Sequence, residues 1–464
     1  MIDEELHSER LEIYRKRKRF RKLKNRILIG VGVLITIFLG IYFFQRSWGT
    51  EATKKLSLDE NISSEETSFA EATPSVVETT MENPEEFNAE QGEGKESSET
   101  ENLKERESEE NVRRQAEKLL EEMTMEERVY QLFIVTQEQL TGVSQVTQSG
   151  VTTKDAVRKY PVGGVIYFGG NLITRDQCQM MIQNLQSYAK TPLFIAVDEE
   201  GGTVARLGKN PSMETTVFPA MKEIGASGDP QEAYRVGYTI GSEMKELGFN
   251  LDFAPVADIW SNPENTVIGS RAFGSDAKTV AEMIAACVKG FQESDTLCTL
   301  KHFPGHGDTK ADSHYGMAES LKTLEELYDC ELVPFQAGIE VGVPFIMIGH
   351  ISLPNITGDN VPVTLSKEIV TDLLRNEMGY QGIIITDSMS MGAITERYSS
   401  GESAVQAILA GVDVILMPKN LQNAAQGILE AVEERRITEE RINESVLRIL
   451  EVKIKNGIIT IEND

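Results

Sequence analysis

The chain has 464 residues, with 73 Asp/Glu against 46 Lys/Arg and a formal net charge of −27, for a pI near 4.7. That balance excludes nucleic-acid binding through overall charge, because phosphate recognition needs a basic face. A hydrophobic share of 40% excludes a wholly disordered chain.

The charge is unevenly placed: residues 1–50 carry a net +6, residues 51–110 a net −14 and the remainder −19. Nine of the twelve residues from Arg15 to Arg26 are basic, and an uncharged apolar run of 18 residues follows, Ile27 to Phe44. As a helix this run reaches about 27 Å, near the ~30 Å hydrocarbon core of a bilayer. The predicted order is a basic cytoplasmic tail over 1–26 and a transmembrane signal anchor over 27–44. The positive-inside rule then sends everything after it outside the cell. A cleaved signal peptide is the competing reading. The run is longer than the usual ~7–15-residue signal core, and Gln45-Arg46-Ser47-Trp48 is a poor cleavage context. Either way the rest of the chain is exported.

Residues 45–111 are rich in Glu, Ser and Thr, lack apolar periodicity and read as a disordered tether. As a flexible coil this linker spans roughly 40–50 Å. From Val112 the pattern changes. Arg113–Met123 reads as an amphipathic helix, and eight short apolar runs then alternate with helical stretches. They are Gln131–Val135, Gly163–Phe168, Pro192–Asp198, Asn250–Asp258, Cys298–Gly305, Phe345–Ile351, Gly382–Ser388 and Val412–Pro418. Near-continuous apolar strands alternating with helices indicate a parallel sheet covered on both faces. Eight such units predict an α/β fold over 112–464, a single (β/α)8 TIM-type barrel, with a doubly wound open sheet as the runner-up. Cys178, Cys287, Cys298 and Cys330 form no Cys-x-x-Cys pair and read as buried free thiols.

Polar residues gather at the carboxyl ends of these runs: Asp198-Glu199-Glu200, Asp258, Lys301-His302, His350 and Asp387-Ser388. In a barrel that end carries the active site. Four of the five histidines, His302, His306, His314 and His350, lie at or after strand ends. The segment from Lys301 to Thr309 is Gly- and Pro-rich and is followed by Asp312-Ser313-His314. Asp312 is close enough to orient the His314 imidazole and support its charged form, which suits a general acid/base. A metal site from His302, His306, Asp308 and His314, or purely structural histidines, are the other readings of this spacing. Asp387 ends the apolar run Ile383-Ile384-Ile385-Thr386. There it is either a helix cap or a functional carboxylate able to attack an anomeric carbon.

The run from Lys301 to Thr309 with Asp312-Ser313-His314 closely resembles glycoside hydrolase family 3, in its bacterial β-N-acetylglucosaminidase branch. Asp198-Glu199-Glu200-Gly201-Gly202, Ser270-Arg271-Ala272-Phe273-Gly274 and Thr386-Asp387-Ser388-Met389 are further matches, and the likeness covers about residues 115–460. The resemblance implies Asp387 as nucleophile and Asp312 and His314 as the acid/base dyad. It also implies Asp198, Arg206, Arg271, Lys301 and His302 as the residues that hold the sugar. Glu200 reads as a network residue rather than a catalyst, and the role of His350 is open. Where the usual motif has Arg after Gly-Gly this chain has Thr203, so one contact near the pocket is in question. The expected reaction is retaining hydrolysis of terminal β-linked N-acetylglucosamine, from peptidoglycan fragments, without a cofactor or metal. Phosphorolysis is the second enzyme reading, because a histidine acid/base leaves less negative charge near the acceptor. A catalytically silent wall-binding protein is the third.

Overall fold

The structure, a computed structural model, describes residues 108–309 and 318–460. The expected membrane helix and most of the expected linker lie outside these residues, as do Asp312 and His314. Among the described residues no helix is long and apolar enough to cross a membrane, so the spanning helix is not part of the described fold.

Helical backbone occupies 108–121, starting a few residues before the expected boundary. The strands that follow are β1 (Phe133–Thr136), β2 (Gly164–Ile166), β3 (Phe194–Val197) and β4 (Leu251–Asp252). Then come β5 (Thr299–Phe303), β6 (Phe345–Ile348), β7 (Ile383–Thr386) and β8 (Ile415–Leu416). Each lies within one of the eight apolar runs, and nearly all their residues are fully buried. Helices such as Pro230–Leu247, Ala277–Glu293, Leu421–Glu433 and Glu439–Lys455 separate them. This is the βα alternation that covers both faces of a parallel sheet.

The single eight-stranded barrel is corrected. The ladder forms two parallel sheets: a five-stranded half-barrel in the order β8-β1-β2-β3-β4, and a three-stranded sheet in the order β7-β6-β5. In place of a continuous ladder, the seams between them carry isolated bridges, Leu251 to Leu297, Val256 to Lys301 and Ile385 to Val414, and scattered backbone hydrogen bonds such as Thr299 N–H to the Ala254 carbonyl. The reason lies in the seam strands. The run Asn250–Asp258 holds Pro255, which has no N–H to donate, and β4 keeps only two ladder residues. β8 is equally short. Two small two-stranded sheets complete the picture; one pairs Glu199–Gly201 with Val204–Ala205 in antiparallel fashion, just past β3.

The helices are set by local signals. Pro230–Leu247 starts at Asp229, whose side chain accepts the N–H of Gln231, has Pro230 at its first position and ends at Gly248 with φ of +96°. It crosses Ala277–Glu293 closely through Gly237, where a Cβ would stand 2.2 Å from the Cys287 carbonyl oxygen. The C-terminal helix is pinned to the start of β8 by buried Asp413. That carboxylate takes Arg375 at 2.6 Å, Arg448 at 3.1 Å and the Ser445 hydroxyl at 2.6 Å.

Candidate active site

The carboxyl ends of the strands converge on a cavity of about 340 Å³, lined by Asp198, Glu200, Arg206, Arg271, Lys301, His302, His306 and Asp387. Apolar walls come from Phe168, Phe253, Met391 and Met417, and further hydroxyls from Ser388 and Ser390. The structure therefore brings together six of the eight residues singled out from the sequence: Asp198, Arg206, Arg271, Lys301, His302 and Asp387.

Glu200 is the hub of the charge network. It accepts both Arg271 Nε at 2.8 Å and an Arg271 terminal nitrogen at 2.7 Å, and Lys301 Nζ stands 2.6 Å from the same carboxylate. Lys301 also donates to Asp198 Oδ1 at 2.8 Å. Burial would raise Glu200, but Lys301 and Arg271 outweigh it and hold this carboxyl far below its ordinary value. Burial likewise works against the Lys301 ammonium, and Asp198 and Glu200 reverse that, raising it. These cations stay charged in the interior only because each is paired. Arg206 is held more loosely, 3.9 Å from Asp198 Oδ2 and with its guanidinium 5.7 Å from the Phe168 ring centroid. Its Nε has no hydrogen-bond partner among the described residues.

Asp387 follows β7, where the Asp387 N–H donates to the Ile348 carbonyl and Oδ1 accepts the Ser388 N–H at 2.6 Å. Burial would raise its carboxyl. The charge of His302, then of His350, overcomes that and keeps Asp387 below the ordinary value, ionised at neutral pH. His350, open from sequence, sits fully buried near Asp387, with Nε2 3.0 Å from the Ser388 carbonyl and Nδ1 2.8 Å from Thr364 Oγ1.

The histidine segment is tied down internally. His302 Nδ1 meets Asp258 Oδ2 at 2.7 Å, His306 Nδ1 meets Thr309 Oγ1 at 2.7 Å, and Asp308 accepts the Ser320 hydroxyl at 2.9 Å. Among the described residues no group of three or more His, Cys, Asp or Glu converges as a metal site. Thr203 is exposed and its carbonyl accepts Lys209 Nζ at 2.7 Å. The placement of Glu200 agrees with its reading from sequence as a network residue. Sequence reasoning gave Asp258 no role, and its signal was only a carboxylate at the end of an apolar run.

Parallel strands ending in paired buried acids and bases around a polar cavity define an α/β enzyme-type site suited to a small hydroxylated ligand. The family model "Glycosyl hydrolase family 3 N terminal domain" matches residues 100–452, and the chain belongs to glycoside hydrolase family 3. It is 35% identical over 329 residues to a protein named Beta-hexosaminidase A from Pseudoalteromonas piscicida. That match covers 65% of this chain and 54% of the relative, so the chain spans only about half of that protein's length. It is 36% identical over 287 residues to a Beta-hexosaminidase of Stenotrophomonas maltophilia, covering 60% of this chain and 82% of the relative. A solved family 3 beta-N-acetylglucosaminidase from Paenibacillus sp. str. FPU-7 shares 38% identity with a TM-score of 0.68, over 73% of this chain and 65% of that one.

Proposed function

We propose that this chain is a retaining glycosidase that releases terminal β-linked N-acetylglucosamine, with peptidoglycan fragments as its substrates. The observation that carries it is Asp387, a buried carboxylate kept ionised by neighbouring cationic groups, lining the same polar cavity as the Asp198–Lys301–Glu200–Arg271 network. An ionised carboxylate in such a place is a nucleophile for an anomeric carbon. Asp387 attacks through Oδ2 as the bond to the leaving oxygen breaks, and His314, supported by Asp312, gives that oxygen its proton. Water then attacks the glycosyl-aspartate, returns its proton to His314 and frees the carboxylate. Arg206, Arg271, Lys301, His302 and Asp198 hold the sugar hydroxyls and acetamido group. The names of the relatives support the hexosaminide preference. The peptidoglycan substrate rests on an exported location read from the sequence.

The test is Asp387→Ala on a chromogenic β-N-acetylglucosaminide. Release by the wild type and a loss of at least ~10³-fold in kcat for the variant are expected. Undiminished release by the variant would remove Asp387 from the role. Product analysis in phosphate buffer should return free N-acetylglucosamine; a sugar 1-phosphate would make phosphate, not water, the acceptor.

A further inference from the structure

One carboxylate that is not among the cavity-lining residues holds part of the site in place. Asp258 lies beyond β4 and is fully buried. Its Oδ2 stands 2.7 Å from His302 Nδ1, and its Oδ1 accepts the backbone N–H of His302 at 3.2 Å and that of His306 at 2.7 Å. A carboxylate only accepts, so Nδ1 of His302 carries a proton and Nε2 is left for the cavity that His302 lines. Asp258 also fixes both ends of the stretch 302–306, adjoining Lys301.

We propose that Asp258 is a positioning residue for the glycosidase reaction, fixing the orientation of His302 and the proton on its Nδ1 so that the ring is held with Nε2 toward the cavity it shares with Asp387. The inference rests on the glycosidase reading above. Asp258 faces His302, His306 and Arg271, whereas Asp387 faces His302, His306, His350 and Lys301. His302 thus acts on two carboxylates, one in direct contact with it and one that lines the same cavity. Burial would raise both carboxyls, and for both of them His302 is the foremost group opposing that rise. His306 is a poorer carrier of charge, because burial and the neighbouring His302 lower it. With Asp258 neutralised, the His302 ring loses its carboxylate partner and Asp387 loses the support of a well-placed His302, while His306, His350, Lys301 and the Ser388 N–H remain.

The experiment uses the full chain carrying Asp258→Asn, which keeps shape and removes charge. The acid limb of kcat/KM, which reports the ionised nucleophile, is expected to move to higher pH by about one unit. kcat is expected to fall about 10- to 100-fold with KM changed less. Asp413→Asn, an equally buried carboxylate outside the cavity, serves as control: it lowers thermal stability but leaves the acid limb in place. Imidazole ¹⁵N spectra of both proteins, simple with five histidines, follow the His302 ring without reference to turnover. The wild type is expected to show the proton on Nδ1, and Asp258→Asn a ring redistributed toward the Nε2–H form. An unchanged ring spectrum overturns the proposal whether or not the enzyme turns over, and so does an acid limb that stays put in an active variant. A wild type that releases no sugar defeats the glycosidase reading instead, while the ring spectrum still decides the link between Asp258 and His302.

Discussion

Glu200 is buried between two cations, and that arrangement fixes what its removal does. Glu200→Ala would leave Lys301 and Arg271 facing each other without their shared anion, and breaking one side of a buried ion network costs about 3–5 kcal/mol. A urea midpoint lowered to match, together with a raised KM, is the expected outcome. The pH dependence follows from the sign of its shift. The folded-state carboxyl lies far below its ordinary value, so its contribution is present above the unfolded value, near 4.5, and is lost as pH falls from there toward the folded value. Acid unfolding of the wild type between about pH 5 and 2 should therefore be steeper than that of Glu200→Gln, which has no such proton to bind. Asp387 stood out in the sequence because an acid after three isoleucines and a threonine is costly without a partner, but the residues alone left a helix cap and a functional carboxylate both open there. The contacts of Glu200 and the role of Asp258 were not legible, because they depend on which strands become neighbours. Asp258 and His302 are 44 positions apart and meet only when β4 lies beside β5.

The helix Pro230–Leu247 shows how far an element can be read locally. Asp229, Pro230 and Gly248 mark its ends in the sequence, and Asp229→Ala should cost about 1 kcal/mol, read as a shift of the urea midpoint. Gly237 carries no such local signal. It lets the helix approach Ala277–Glu293 so closely that Gly237→Ala would drive a Cβ to 2.2 Å from the Cys287 carbonyl oxygen. A backbone atom cannot swing aside as a side chain does, so the expected cost is at or above the upper end of the ~1–3 kcal/mol typical of overpacking. A change under 0.5 kcal/mol would mean that the helices part freely. The strands follow the same division. Hydrophobic runs revealed where each lies, but not where the ladder breaks, since seam pairing depends on the few backbone groups still available around Pro255 and in short β8. The eight runs were therefore right as strands, whereas the uninterrupted barrel drawn from them was not.

At the scale of the whole molecule, a net charge of −27 coexists with a cavity where Arg206, Arg271 and Lys301 converge, so the average conceals the local field. One cation is buried far from that network. Lys453, on the C-terminal helix, is fully buried; its Nζ is 3.1 Å from Gln131 Oε1 and 4.9 Å from the Phe194 ring centroid, at the amino ends of β1 and β3. It ties the last helix to the first strands across 322 positions. Burial pushes its ammonium down to about 7 from an ordinary 10.5. The unfolded chain thus keeps a proton between pH 7 and 10.5 that the folded chain gives up, and stability tied to this residue rises with pH across that window. A shift of this size corresponds to on the order of 4 kcal/mol, part of which the Gln131 and Phe194 contacts return by favouring the charged form. Lys453→Met keeps the stem and removes the charge, so it should raise the melting temperature, by more at pH 7 than at pH 10. Equal gains at both pH values would show that Lys453 stays protonated in the fold, with Gln131 and Phe194 offsetting its burial in full.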